Sequence, residues 1–214
     1  MYHVIATPPP GTANPELWVP PRRMRRQLEA LERAGYRGVT LSQVWAAWHG
    51  GPGLPRRPVV VSFDDGYDSQ YRAARPILRR LGWPGVLDLE VHNLHVAGGL
   101  SDRQVRAMLA AGWELAAHTI THPDLTAVGP ARLRREVAGS RTALRRRFGV
   151  PVWFFCYPSG RYDATTEQAV RAAGFRGATT TTPGRAGPHG DPFALPRLRL
   201  LPEETPSALL SAVR

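Results

Sequence analysis

The chain has 214 residues, 43% of them hydrophobic, enough to bury one substantial core within a single domain spanning residues 1–214. Its formal charge of +11 comes from 28 basic residues, every one an Arg, set against 17 acidic ones. No apolar stretch approaches the ~20 residues that span a bilayer, no basic segment followed by an apolar run opens the chain, and the single cysteine, Cys156, excludes an internal disulfide.

Met1-Tyr-His-Val-Ile5 places His3 on a first strand. Arg22 to Ala34 sets Met24, Leu28 and Leu31 on one face and stops at Gly35, the pattern of an amphipathic helix. Val59 to Phe63 reads as a buried strand that runs into Asp64, Asp65 and the tight turn marked by Gly66. Gly85 to Glu90 is the next strand. Ser101-Asp-Arg-Gln104 forms a capping box ahead of Val105, Met108 and Leu109, with Gly112 closing that helix. Trp113 to Ala117 is strand-like and leads into His118-Thr-Ile-Thr-His122-Pro-Asp-Leu125, where Pro123 argues against a continuous helix. The two His therefore bracket a loop or a single turn. Leu133, Val137, Leu144 and Phe148 form an apolar stripe at helical spacing. Val152 to Tyr157 is a strand with Cys156 as a small core residue, Asp163 caps a helix through Ala173, and Leu198 to Leu201 is a last strand. This alternation predicts an α/β fold whose parallel sheet is closed or nearly closed into a barrel.

The chemistry concentrates at two of these strand ends. Two adjacent carboxylates at the end of a strand repel each other, an arrangement that costs stability unless a cation offsets it. The C-terminal edges of strands are where α/β proteins build their sites. His118 and His122 add two imidazoles, and two His plus one carboxylate is the composition of catalytic rather than structural zinc sites. The second carboxylate is then free to act on water.

Ser62-Phe-Asp-Asp-Gly66 and His118-Thr-x-x-His-Pro123 resemble the first two motifs of the NodB-like polysaccharide deacetylases, carbohydrate esterase family 4. Further similarity runs through Tyr71 to Leu78, Gly112 to Leu115, Glu136 to Ser140 and Phe155 to Gly160. The resemblance implies a distorted, incomplete (β/α) barrel of about seven parallel strands. It also implies removal of N-acetyl groups from an N-acetylglucosamine polymer such as peptidoglycan, chitin or biofilm poly-N-acetylglucosamine. Asp65, His118 and His122 would ligate a divalent metal, and Asp64 would serve as base. Zinc suits such ligands, although cobalt, nickel, iron and manganese occupy similar sites.

Two positions depart from the common layout of that family. The tail Leu198-Arg-Leu200 lacks the family's C-terminal His, but Met1 to Ile5 resembles a subgroup in which that motif is circularly permuted to the N-terminus, making His3 the acid. Cys156 stands where the family commonly has an Arg that orients the catalytic Asp. Arg197 can be placed by a strand to support Asp64 instead, or it can be a solvated or structural Arg. The backbone N–H of Ser159 is the candidate oxyanion donor.

The remaining His residues, His49, His92, His95 and His189, read as surface groups, with His92 and His95 able to touch a ligand. Arg132, Arg134, Arg135, Arg141, Arg145, Arg146 and Arg147 read as a solvated helix face or a surface that attracts an anionic polymer. No motif for reading nucleic acid accompanies the charge. Trp153, Phe154, Phe155 and Tyr157 read as core, with Tyr157 and Tyr162 as possible groove residues. The resemblance favours an extracytoplasmic monomer whose first strand begins before Met1. A binding-only relative and a hydrolase of a small amide are the alternatives.

Overall fold

The computed structural model describes residues 1–94 and 96–213, so the expectation for His95 lies outside the described residues. Five strands, β3 (Ser62–Asp65), β4 (Val86–Leu89), β5 (Glu114–Ala117), β6 (Phe154–Cys156) and β7 (Gly177–Thr179), form one parallel sheet in sequence order. A separate parallel pair joins β1 (Arg37–Gly38) to β2 (Pro58–Val59). The helices are α1 (Pro21–Arg33), α2 (Leu41–Trp48), α3 (Arg75–Leu81), α4 (Asp102–Leu109), α5 (Pro130–Phe148), α6 (Ala164–Ala172) and α7 (Pro206–Ala212).

Two further segments carry the curl of the sheet around. Tyr2 bridges Phe63 in parallel at the β3 edge, and Leu195 bridges Thr179 in parallel at the β7 edge. These flanks meet, because Met1 donates to the Leu198 carbonyl and accepts from the Leu200 amide. The result is a distorted, incomplete barrel in which five strands form the continuous ladder and single bridges supply the flanks.

Alternation along the strands sorts the side chains into two clusters. Phe63, Leu87, Leu89, Leu115, Ala117, Phe155 and Ala178 belong to the large cluster, which also holds the apolar faces of the helices. Val86, Ala116, Phe154 and Leu195 form a smaller cluster with Leu41 of α2. Ser62, Asp64, Asp88, Cys156 and Arg197 share this second parity and converge above that cluster as a buried polar layer. The barrel interior is thus apolar at one end and polar at the end where the strands finish.

Local signals account for several elements. Both capping boxes, Thr40 with Gln43 and Ser101 with Gln104, are formed, and Asp163 caps α6 by accepting from Thr166. The run expected as one strand from Val59 to Phe63 is divided, because its partner changes. Pro58–Val59 pairs with β1, whereas Ser62 onward pairs with β4. Leu198 to Leu201 is not a strand; Pro196 and Pro202 lack the N–H groups that would extend its pairing.

Candidate active site

The two clusters of the sequence meet at the C-terminal end of the barrel. Nε2 of His118 lies 3.4 Å and Nε2 of His122 lies 3.9 Å from Oδ1 of Asp65. The ligand atoms of the three residues all fall within 4.8 Å of one another. His118 Nδ1 donates to the Cys156 carbonyl at 2.8 Å, which turns Nε2 toward Asp65. A metal-binding His typically gives its other N–H to such an acceptor, so this donor set fits a divalent cation. Burial opposes charge on the His118 ring, but Cys156 and Asp65 outweigh it and raise its pKa; a bound cation would take the place of that proton. For Asp65, burial is outweighed by the facing His118, which holds the carboxyl below its ordinary value.

Backbone conformation brings these groups together. Asp65, Thr119, His122 and Ser159 all have positive φ, at 73°, 67°, 52° and 53°. Such strain in non-glycine residues costs of order 1–3 kcal/mol each and is concentrated at functional sites. At Asp65 it interrupts the strand alternation that would otherwise send consecutive carboxylates to opposite faces. Gly66 follows at φ 88°, where a Cβ would lie 2.8 Å from Leu89.

Asp64 faces a different environment. Arg197 Nη1 donates to its Oδ1 at 2.7 Å and Nη2 to its Oδ2 at 2.9 Å, a two-pronged pair. Burial opposes the charge on Asp64, yet Arg197 outweighs it and holds the carboxyl far below the usual range. His3 Nε2 lies 3.8 Å from Asp64 Oδ2, and burial lowers the His3 pKa despite that carboxylate.

Four polar residues not assigned from the sequence support this arrangement. Gln70, in a π-helical turn at Gln70–Ala74, donates from Nε2 to the carbonyls of His3 and Asp64, tying the N-terminal segment to β3. Asp88, the register partner of Asp64 on β4, accepts from Arg197 at 3.2 Å. Glu136 of α5, fully buried, accepts from the Ile120 and Thr121 amides and from the Thr121 hydroxyl, shaping the loop between the two His. Glu90 is pushed up to about 7 by burial and then by Asp65, and it accepts from Asn93, which also donates to the Asp65 carbonyl. The available signal for Asp88 and Glu136 was a carboxylate in an otherwise apolar strand or helix stripe.

Residues 52–178 match the model of the polysaccharide deacetylase family. The chain belongs to that family. YxkH of Bacillus subtilis, a protein named for the same family, is 27% identical over 208 residues, covering 97% of this chain and 72% of that protein. A poly-beta-1,6-N-acetyl-D-glucosamine N-deacetylase of Escherichia coli is 43% identical, but only over 63 residues, or 29% of this chain and 9% of that enzyme. Among solved structures, the Streptococcus pyogenes deacetylase PplD, in complex with acetate, superposes with a TM-score of 0.92 at 28% identity, covering 100% of this chain and 96% of that one. IcaB from Ammonifex degensii gives 0.82 at 25% identity, covering 100% and 95%.

The other candidates of this polysaccharide deacetylase chain occupy varied positions. Ser159 is exposed in the turn Pro158–Gly160 after β6, with its carbonyl accepting from Thr181. Tyr157 is buried and stacks on the exposed Tyr162 at 4.6 Å, so only Tyr162 is a surface group. Phe154 and Phe155 are core, while Trp153 is half-buried beneath Arg141 and Arg176. His49, His92 and His189 are exposed. Arg132, Arg134, Arg135, Arg145 and Arg146 are also exposed, but Arg141 is tied to the Val152 and Ala173 carbonyls and Arg147 to Asp102. No helix among the described residues is long and apolar enough to cross a membrane.

Proposed function

We propose that this chain is a divalent-metal-dependent N-deacetylase that removes acetyl groups from an N-acetylglucosamine-containing polysaccharide, releasing acetate and a free amine. The observation that carries this reading is the juxtaposition of Asp65, His118 and His122 with a separately held carboxylate, Asp64, beside His3. It is supported by family membership and by relatives named as deacetylases.

In this reading Asp65, His118 and His122 hold the cation, zinc being the first candidate among zinc, cobalt, nickel, iron and manganese. When bound, such an ion supplies Lewis acidity toward a carbonyl oxygen and toward water. Asp64, kept ionised by Arg197, accepts the proton of the attacking water. The 3.8 Å between Asp64 Oδ2 and His3 Nε2 gives that proton a short route to the ring that protonates the departing nitrogen. The Ser159 N–H is the proposed donor to the developing oxyanion. In this reading the enzyme meets its polymer outside the cytoplasm.

Acetate release from N-acetylglucosamine oligomers by the purified protein, with and without chelator, tests the reading. Turnover abolished by chelation and restored by zinc or cobalt is the expected result. Metal-replete protein that binds these oligomers without releasing acetate would leave a binding protein in its place.

A further inference from the structure

Asp88 is the one fully buried carboxylate of the polar layer to which the proposed reaction gives no role. It stands on β4 directly beside Asp64 in the sheet register, with the same inward parity. Its Oδ2 accepts from Arg197 Nη1 at 3.2 Å, no donor meets its Oδ1, and its carboxyl lies within hydrogen-bonding reach of the Asp64 carboxylate. A carboxyl group with one satisfied oxygen is a poor device for stability in a dry interior, since an apolar side chain of similar volume avoids its desolvation. Burial, and then the Asp64 charge, push the Asp88 carboxyl up to about 8, so it is a neutral acid at neutral pH. In that form it accepts from Arg197 with Oδ2 and has a proton to share with the Asp64 carboxylate.

The guanidinium it touches has a demanding task. Arg197 donates from Nε to the Thr180 carbonyl, from Nη1 to Ser62, Asp64 and Asp88, and from Nη2 to Asp64 and Cys156. Meeting both oxygens of Asp64 requires the plane of the fork to be fixed. Thr180 fixes the Nε edge, and Ser62 and Asp88 flank Nη1, the nitrogen on Asp64 Oδ1.

We propose that Asp88 is a positioning residue, which holds the Arg197 guanidinium in the plane that grips both oxygens of Asp64 and so fixes the base for attack on the acetyl group. This rests on the deacetylase reading for its kinetic consequence but not for its structural one. A displaced base loses turnover while substrate contacts stay intact, and a displacement of about 1 Å costs up to ~10²-fold.

The test compares Asp88→Leu and Asp88→Asn with the wild-type protein in metal content, thermal midpoint, kcat and KM, and in the Nη–H signals of Arg197. Those signals are identified in nitrogen-15 spectra by their loss in Arg197→Lys. Expected for Asp88→Leu are unchanged metal content, an unchanged or raised midpoint, kcat lowered roughly 10- to 100-fold at near-constant KM, and faster Nη rotation. Asp88→Asn, whose amide accepts and donates as a neutral acid does, recovers most of the loss. Wild-type kcat in Asp88→Leu overturns the proposal, as do losses that merely track the midpoint or equal effects of Leu and Asn. If wild-type protein releases no acetate, the deacetylase reading falls, and the Arg197 signals alone then decide: unaltered Nη rotation in Asp88→Leu overturns the positioning role.

Discussion

Asp64 and Asp65 are neighbours in sequence whose carboxyl groups meet different partners, Arg197 and His3 for the first, His118 and His122 for the second. Their separation follows from the left-handed backbone at Asp65 and should appear as separable phenotypes. Asp65→Ala is expected to lose bound metal and activity together. Asp64→Asn should bind metal normally while turnover falls by ~10² or more, the scale of a lost general base. Metal analysis alongside acetate release reads both, and an Asp64→Asn protein that turns over at the wild-type rate removes Asp64 from the role of base. His3→Ala should likewise keep its metal while kcat falls.

Arg197 presents a sharper asymmetry. Arg197→Ala leaves the buried Asp64 charge without its guanidinium, a change worth about 3–5 kcal/mol of stability. Arg197→Lys keeps the charge but cannot meet both oxygens. We expect Lys to recover most of the folding stability and little of kcat, measured by urea denaturation and acetate release. Equal recovery of both would mean that charge alone, and not the fork, is what Asp64 requires.

These partners show what was readable in the sequence and what was not. The strand before Asp64, the Ser101 capping box and the His118–His122 loop follow from local periodicity, capping and Pro123, all visible within a few residues. Arg197 was named as one of two open options, because a guanidinium 133 positions away has no local mark that aims it at Asp64. Asp88 and Glu136 were passed over, since each sits in a pattern read for its apolar members: Val86, Leu87 and Leu89 around one, Leu133 and Val137 around the other. α2, α3, α7 and the edge strand β7 have no assignment from the sequence, although Thr40 and Gln43 carry the same capping box as Ser101 and Gln104. Sequence patterns report which face of an element is buried, whereas the roles of buried carboxylates arise from contacts between elements.

Proton linkage separates Asp88 from Asp64 by sign. The Asp88 carboxyl is raised from 3.8 to about 8 on folding, so across that window the unfolded chain binds fewer protons and stability falls as pH rises, levelling above about 8. Asp64, held low by Arg197 against burial, contributes stability present above its ordinary value of 3.8 and lost only as the solution is made strongly acid. Asp88→Asn removes the first effect alone. Its urea midpoint, relative to wild type, should therefore gain steadily between about pH 5 and about pH 8. Parallel profiles for the two proteins would show that Asp88 is ionised throughout.

Glu136 offers a test of the metal centre that leaves every ligand in place. Its Oε2 accepts from the Ile120 and Thr121 amides at 2.9 Å and its Oε1 from the Thr121 hydroxyl at 2.8 Å, so α5 holds the backbone between His118 and His122 from behind. Arg132 and Arg135 approach the same carboxylate at 4.0 and 3.8 Å. Loss of this acceptor leaves two amides unpaired and frees a loop in which Thr119 and His122 have positive φ. Outer-shell groups of this kind typically contribute 10- to 100-fold to metal affinity. Glu136→Ala is thus expected to weaken zinc binding by roughly that factor, measured by competition with a chromophoric chelator. Glu136→Gln, which keeps one strong acceptor, should fall between it and wild type. Undiminished affinity in Glu136→Ala would mean that the loop is held in its left-handed conformation by Thr119, whose hydroxyl accepts from the His122 amide at 2.9 Å, without help from α5.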